Sequence, residues 1–267
     1  MEGLAGRLAP LVRAGDRVLL AQENTLGFCL AFLACLRLKG IAVPVPRRLT
    51  GERLMRIAAD CHPALGLVEG EGAPLLGSEV PGELTDLLAE TAWKTMPAWP
   101  DLEALTTDGL GETLAGFSGD PWPDKEDLAL LQYTSGSTST PKGVTVTHGA
   151  IMANFEATGQ AMALNAESIC VSWLPVFHDL GLFLQTILNG GQSIILPPST
   201  IVRDPLRWLQ AVSDHGATVS GGPNFAFDAC VEALARAKAK GRPLPEMDLS
   251  TLEVVFNGAE PVRATTL

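Results

Sequence analysis

Residues 134–143, Thr-Ser-Gly-Ser-Thr-Ser-Thr-Pro-Lys-Gly, crowd hydroxyl side chains, two glycines and one lysine together in a chain that is acidic overall. Free backbone N–H groups, hydroxyl donors and one cation in a small loop make a surface suited to a polyphosphate. A flexible Ser/Thr/Gly linker has a similar composition, but its flanks would differ. Leu128–Thr134 is a continuous apolar run of strand length, and Val144–Thr147 alternates like a second strand. A linker seldom sits tightly between two strands. The segment therefore reads as a phosphate loop.

Bulk composition narrows the partners. The 267-residue chain carries 19 Lys and Arg against 30 Asp and Glu, for a net charge of −11. Nucleic acid would be repelled, and no basic stripe offsets this. With 46% hydrophobic and 18% charged residues, the chain is expected to fold as a soluble α/β protein that buries most of its apolar surface. An acidic protein holding a polyanion needs a local cation. Lys142 supplies one charge, and Mg²⁺ is expected to supply the rest. Cys29, Cys35, Cys61, Cys170 and Cys230 form no Cys-x-x-Cys pair, and the four histidines show no metal-ligand spacing. Free buried thiols, a cytoplasmic location and no protein-held metal are expected. The longest apolar stretch, Leu26–Leu36, is too short to span a bilayer, and the start lacks a signal-peptide pattern.

The elements that would position the loop alternate along the chain. Met1–Arg13 reads as a helix and Arg17–Ala21 as a buried strand. Asn24-Thr25 would cap a buried helix over Leu26–Lys39, which Gly40 would end. Ile41–Val45 is a strand, Glu52–Asp60 a helix and Ala64–Val68 a strand. Gly70–Asp127 reads as a variable connection with one helix at Gly82–Leu88. Then come the phosphate loop, a helix from Gly149 to Ala163, and strands at Cys170–Leu174, Ser193–Leu196, Ala217–Ser220 and Leu252–Phe256. Helices at Leu180–Asn189, Pro205–Ser213 and Phe225–Lys240 separate those strands. The pattern implies doubly wound, largely parallel sheets. Two lobes are expected, 1–118 and 119–267, the second carrying the phosphate loop.

Four loops would follow the carboxyl ends of parallel strands: Thr134–Gly143, Pro175–Gly181, Ser220–Asn224 and Asn257–Pro261. Ligands bind at that edge of an open α/β sheet. The phosphate loop is not of the G-x-x-x-x-G-K-[ST] kind. Pro141 stands where its second glycine would be, and Pro141 has no N–H to donate. Gly143 has no hydroxyl for Mg²⁺.

Tyr133–Gly143 resembles the ATP-phosphate loop of the adenylate-forming superfamily, which includes acyl-CoA synthetases, peptide-synthetase adenylation domains and luciferases. It departs from the usual form at Ser139, where glycine is typical. Ser172-Trp-Leu-Pro-Val-Phe-His-Asp-Leu-Gly-Leu182, Ser220-Gly-Gly-Pro-Asn-Phe-Ala-Phe-Asp228 and Asn257-Gly-Ala-Glu-Pro-Val-Arg263 resemble segments of fatty acyl-AMP ligases. The resemblance covers most of the chain and weakens between Gly70 and Asp127.

Roles follow from that resemblance. Thr134, Ser135, Gly136, Ser137, Thr138 and Lys142, with Gly143, would cradle the phosphates of ATP. His178 would sit by the reacting carboxylate; the alternative is a strand-end histidine bonded to a backbone carbonyl. Asp179 would cap the following helix. Ser220, Gly221 and Gly222 would pass close to the acyl chain and nucleotide, or else form an ordinary strand-to-helix turn. Asn257, Gly258, Ala259 and Glu260 would line the adenine face, with Glu260 otherwise a surface carboxylate. His148 reads as a helix cap, and Trp173 and Trp208 as core.

The resemblance implies ATP-dependent activation of a fatty acid as acyl-adenylate, then transfer to an acyl carrier protein. A fatty acyl-CoA synthetase is the near alternative. A non-catalytic acyl- or nucleotide-binding partner protein is the alternative of another class. An amino-acid-adenylating domain fits less well, because no aspartate stands near Ser220 to hold an ammonium group. Family segments expected after Arg263 include a Mg²⁺-binding glutamate, a ribose-binding aspartate and a mobile C-terminal domain with a catalytic lysine. The expectation is therefore an amino-terminal portion that works with a separate or continuing C-terminal part.

Overall fold

The structure, a computed structural model, describes residues 2–46, 51–69, 92–96, 122–133, 141–177 and 181–266. It divides into two compact units, Met1–Ala153 and Asn154–Leu267.

The first unit opens with helix α1 (Glu2–Leu8) and strand β1 (Arg17–Gln22). Helix α2 (Leu26–Arg37), strand β2 (Ile41–Pro46), helix α3 (Gly51–Cys61) and strand β3 (Leu65–Glu69) follow. β1 pairs in parallel with both β2 and β3. The first crossover thus runs to one side of β1 and the second back across it. Two right-handed crossovers of opposite direction put their helices on opposite faces of a sheet. Covered on both sides, β1 is buried from Val18 to Gln22, which is why it reads as an apolar run without alternation. Leu19, Ala21, Val43 and Val45 pack with Leu54, Ile57 and Cys61 of α3.

Thr25 caps α2 as expected, its hydroxyl accepting from the Phe28 N–H at 3.3 Å. The end of that helix differs from the sequence reading. Lys39, not Gly40, takes the left-handed backbone, at φ 58°. Gly40 answers to space instead, since a Cβ there would lie 3.0 Å from the Cys35 sulfur and 3.1 Å from a Val12 methyl.

Strands β4 (Ala92–Met96), β5 (Leu128–Tyr133) and β6 (Gly143–Thr147) complete a six-stranded sheet of order β4-β3-β1-β2-β5-β6. β4 falls within the stretch read as a variable connection; its five residues, Ala-Trp-Lys-Thr-Met, are too short and mixed to signal a strand. The helix expected at Gly82–Leu88 lies outside the described residues. β5 and β6 pair antiparallel, the one such pairing in an otherwise parallel sheet among the described residues. They therefore belong to the first unit, whereas the sequence boundary drawn after residue 118 put them with the second lobe. The division of the structure falls later, within helix α4 (His148–Ala161).

The second unit repeats the winding. Its elements are strand β7 (Ile169–Ser172), helix α5 (Gly181–Leu188), strand β8 (Gln192–Ile195), helices α6 (Pro198–Arg203) and α7 (Leu206–His215), strand β9 (Val219–Gly222), helix α8 (Asn224–Ala239) and strand β10 (Val254–Asn257). The parallel sheet has order β10-β9-β7-β8. The winding again reverses beside the first strand, between β7 and β9. α6 was not anticipated, because its short segment begins on paired prolines. Trp173 and Trp208 are buried with Val171, Val212, Ala217 and Ala226, in the core role expected of them.

Candidate functional site

In the first unit the site is the β5–β6 hairpin. Tyr133 ends β5, Gly143 begins β6, and the two are register partners. The intervening Thr134, Ser135, Gly136, Ser137 and Thr138 lie outside the described residues. Lys142 is described: it stands exposed immediately before β6, at the exit of the loop.

In the second unit the carboxyl ends of β7, β9 and β10 lie side by side, closing on Ser172, Gly222 and Asn257. The crevice beside the reversal between β7 and β9 is where an open α/β sheet takes its ligand. His178 and Asp179, which follow β7, lie outside the described residues. Ser220, Gly221 and Gly222, read as a loop, are the last residues of strand β9. Ser220 is buried, and its hydroxyl donates to the Val171 carbonyl at 2.7 Å and accepts from Trp208 Nε1 at 2.8 Å. That hydroxyl serves the core, so any approach of ligand here is to backbone. The glycines are set by packing. A Cβ on Gly221 would lie 2.2 Å from the Phe256 carbonyl oxygen, and one on Gly222 would lie 2.7 Å from the Trp173 ring.

Asn224, the first residue of α8, holds this edge together, and sequence reading missed it. It is 0% exposed. Its amide donates to Thr266 Oγ1 at 2.9 Å and Asp228 Oδ2 at 3.1 Å. Its carbonyl accepts from the Arg263 N–H at 3.0 Å and the Asn257 amide at 3.4 Å. Thr266 also donates to Asp228 at 2.7 Å, and Arg263 pairs with Asp228 at 3.6 Å. No local pattern announces a hub three of whose four partners are 33 to 42 residues away.

Around that hub the segment after β10 takes its shape. Glu260 accepts from the Phe225 N–H at 2.6 Å, placing a carboxylate at the N-terminus of a 16-residue helix, where the helix dipole favours negative charge. Glu260 is therefore a helix cap made across chain segments rather than a free surface carboxylate. Ala259 takes a left-handed backbone, φ 67°. A Cβ at Gly258 would meet nothing within 4 Å.

Among the described residues, two buried polar atoms at this edge have no hydrogen-bond partner, Asn257 Oδ1 and Trp173 Nε1. They are an acceptor and a donor at the carboxyl ends of β10 and β7. The acceptor, beside the open space at Gly258, suits an exocyclic amine such as that of adenine. Among the described residues no group of three His, Cys, Asp or Glu side chains could hold a metal ion. No described helix is long and apolar enough to cross a membrane.

Doubly wound units with a phosphate-loop sequence between two strands of one sheet define an α/β protein of the kind that takes a ligand at its strand ends. Residues 2–267 match the AMP-binding enzyme family, and the chain belongs to it. It is 32% identical to a long-chain-fatty-acid–AMP ligase of Mycolicibacterium smegmatis, over 99% of this chain and 41% of that protein. It is also 32% identical to the medium-chain-fatty-acid–acyl-carrier-protein ligase JamA of Moorena producens, over 99% of this chain and 43% of the relative. The crystal structure of a fatty acyl-adenylate ligase from L. pneumophila, in complex with acyl adenylate and pyrophosphate, superposes with a TM-score of 0.77 at 32% identity. That match covers 99% of this chain and 44% of the other. The chain thus spans less than half the length of these relatives.

Proposed function

We propose that this chain is the nucleotide- and acyl-binding portion of an enzyme that activates a fatty acid with ATP, forming acyl-adenylate and pyrophosphate. The observation that carries the reading is the hairpin loop 134–142, closed by Tyr133 and Gly143 with Lys142 exposed at its exit, in a chain 32% identical along its length to fatty-acid–AMP ligases. On this reading Thr134, Ser135, Gly136, Ser137, Thr138 and Lys142 hold the β- and γ-phosphates, and His178 lies by the fatty-acid carboxylate. The carboxylate attacks the α-phosphorus, the bond to the bridging oxygen breaks, and pyrophosphate leaves with the electron pair. The chain contributes position and charge stabilisation rather than covalent chemistry. Asn257 Oδ1 accepts from the adenine amine, and Gly258 leaves room for the ring. Mg²⁺ would arrive with the polyphosphate, neutralising charge that Lys142 alone does not.

The relative from Moorena producens supports an acyl-carrier-protein thiol as the acceptor of the acyl group. A second reading, transfer to coenzyme A, is supported by 30% identity to putative fatty-acid–CoA ligases of Mycobacterium tuberculosis. The two units together form the amino-terminal part of the catalyst on either reading, with the Mg²⁺-binding glutamate and catalytic lysine supplied by a further C-terminal part.

The test is acyl-AMP formation by the purified chain with ATP, Mg²⁺ and medium- and long-chain fatty acids, read by mass spectrometry beside ATP affinity by calorimetry. Lys142→Ala is expected to lower acyl-AMP yield by about a hundredfold, as removal of one charged transition-state contact does. ATP binding without acyl-AMP would confine the chain to the binding role. No ATP binding would overturn the reading.

A further inference from the structure

An amide side chain donates from one face and accepts at the other, and its partners decide which face points where. At Asn224 they leave no choice. The Arg263 backbone N–H can only donate, and it meets the Asn224 oxygen at 3.0 Å. The Asp228 carboxylate, 3.6 Å from the Arg263 guanidinium, can only accept, and it meets the Asn224 nitrogen at 3.1 Å. Thr266 gives its own proton to the other Asp228 oxygen at 2.7 Å, so its oxygen is left to accept from the Asn224 nitrogen at 2.9 Å. Turning the Asn224 amide over would set donor against donor at Arg263 and acceptor against acceptor at Asp228.

That fixed polarity passes to Asn257. With the Asn224 oxygen facing it at 3.4 Å, Asn257 must offer its nitrogen there, and its own oxygen is the group left over. That oxygen has no hydrogen-bond partner among the described residues. It belongs to the last residue of β10, paired in register with Gly222 at the end of β9, and the next residue is Gly258, where a Cβ would meet nothing within 4 Å. The run from Asp228 through Asn224 to Asn257 thus decides that the strand end presents an acceptor and not a donor.

We propose that Asn224 is a positioning residue that sets the base preference of the nucleotide site. By holding Asn257 oxygen-outward, it favours the exocyclic amine of adenine and opposes the carbonyl that hypoxanthine carries at the same place. The proposal rests on the nucleotide-binding reading above. Asn224 itself is buried and touches no ligand. An unanchored Asn257 could turn over and donate to a carbonyl as readily as accept from an amine, because the two faces of an amide differ little in size and shape. Discrimination of this kind comes as much from opposing the wrong base as from bonding the right one.

The test measures AMP and IMP affinity of the whole chain by calorimetry, with thermal unfolding of each variant alongside. IMP carries a carbonyl where AMP carries the amine. Wild type should prefer AMP by about tenfold or more, the usual penalty for leaving buried polar groups opposed. Asn224→Leu should bring the two nucleotides within about twofold of each other, since nothing then fixes the Asn257 amide. A second variant carries Asn224→Asp and Asp228→Asn together. It exchanges the amide and the carboxylate while keeping an acceptor toward Arg263 and Asn257, so it should retain the AMP preference. Asn257→Leu removes the far end of the relay and leaves the Asn224 contacts to Asp228 and Thr266 in place; it should also level the two nucleotides. A merely structural role for Asn224 would weaken both nucleotides alike, and an unchanged ratio in a folded Asn224→Leu variant would overturn the proposal. So would an unchanged ratio in Asn257→Leu, whether or not Asn224→Leu folds, or a lost preference in the exchanged variant. Equal binding of AMP and IMP by wild type would overturn this proposal alone; binding of neither would overturn the nucleotide-binding reading and this proposal with it.

Discussion

Ala259 is one of four non-glycine residues with left-handed backbone among the described residues. Its φ of 67° costs an L-residue roughly 1 kcal/mol that glycine would not bear. It stands two residues after Asn257 and one before Glu260, between the vacant acceptor and the α8 cap, and the capping bond and Asn224 contacts hold it there. Ala259→Gly should therefore raise the melting temperature by about 2 °C, measured by thermal unfolding; no change or a fall would mean that the strain is absent. At this scale the resemblance marked Asn257–Glu260 as a candidate stretch, but the contacts made within it were not legible. That Glu260 spends its carboxylate on the Phe225 N–H, or that Ser220 spends its hydroxyl on Val171 and Trp208, depends on partners remote in sequence, which no local pattern encodes.

Elements were more legible than the contacts between them. Thr25 before an apolar run announced α2, and β1 and β2 announced themselves by continuous apolar residues. β9 was expected at Ala217–Ser220 but runs on to Gly222, its end hidden by two glycines, which weaken a strand unless neighbours need the space. Here Phe256 and Trp173 need it. The antiparallel turn of β5 into β6 was also hidden, since alternation reveals a strand but not its partner's direction. α4 offers the pH test. His148 is its first residue, with Nε2 buried and unpartnered. Burial holds its pKa below the ordinary 6.5, against the opposing pull of Asp127. The unfolded chain then takes up the proton first as pH falls. Stability is present above the ordinary value and is lost as pH drops below it toward the depressed one. Urea midpoints should decline from about pH 7.5 to about pH 5.5, and His148→Gln should flatten that decline.

For the molecule as a whole, the cysteines report on each unit separately. All five are buried thiols outside any disulfide, three in the first unit and two in the second. Burial pushes Cys29 up to about 12 and Cys61 and Cys230 up to about 11, so neither exposure nor thiolate is offered to a reagent. Native protein should not react with a thiol-specific disulfide reagent at neutral pH. In rising denaturant Cys29, Cys35 and Cys61 should label together, and Cys170 and Cys230 together, as mapped by peptide mass spectrometry. Scattered labelling would argue against cooperative units. The Asn224 hub bears on how the second unit comes into being during synthesis. Its partners reach to Thr266, so β7, β8, β9 and α8 can emerge and pair before the residues that secure the β10 edge exist. The β10 edge of that sheet is therefore completed only after Thr266 has been made, and a chain halted before it would lack the contact that ties Asn224 to the end of the unit.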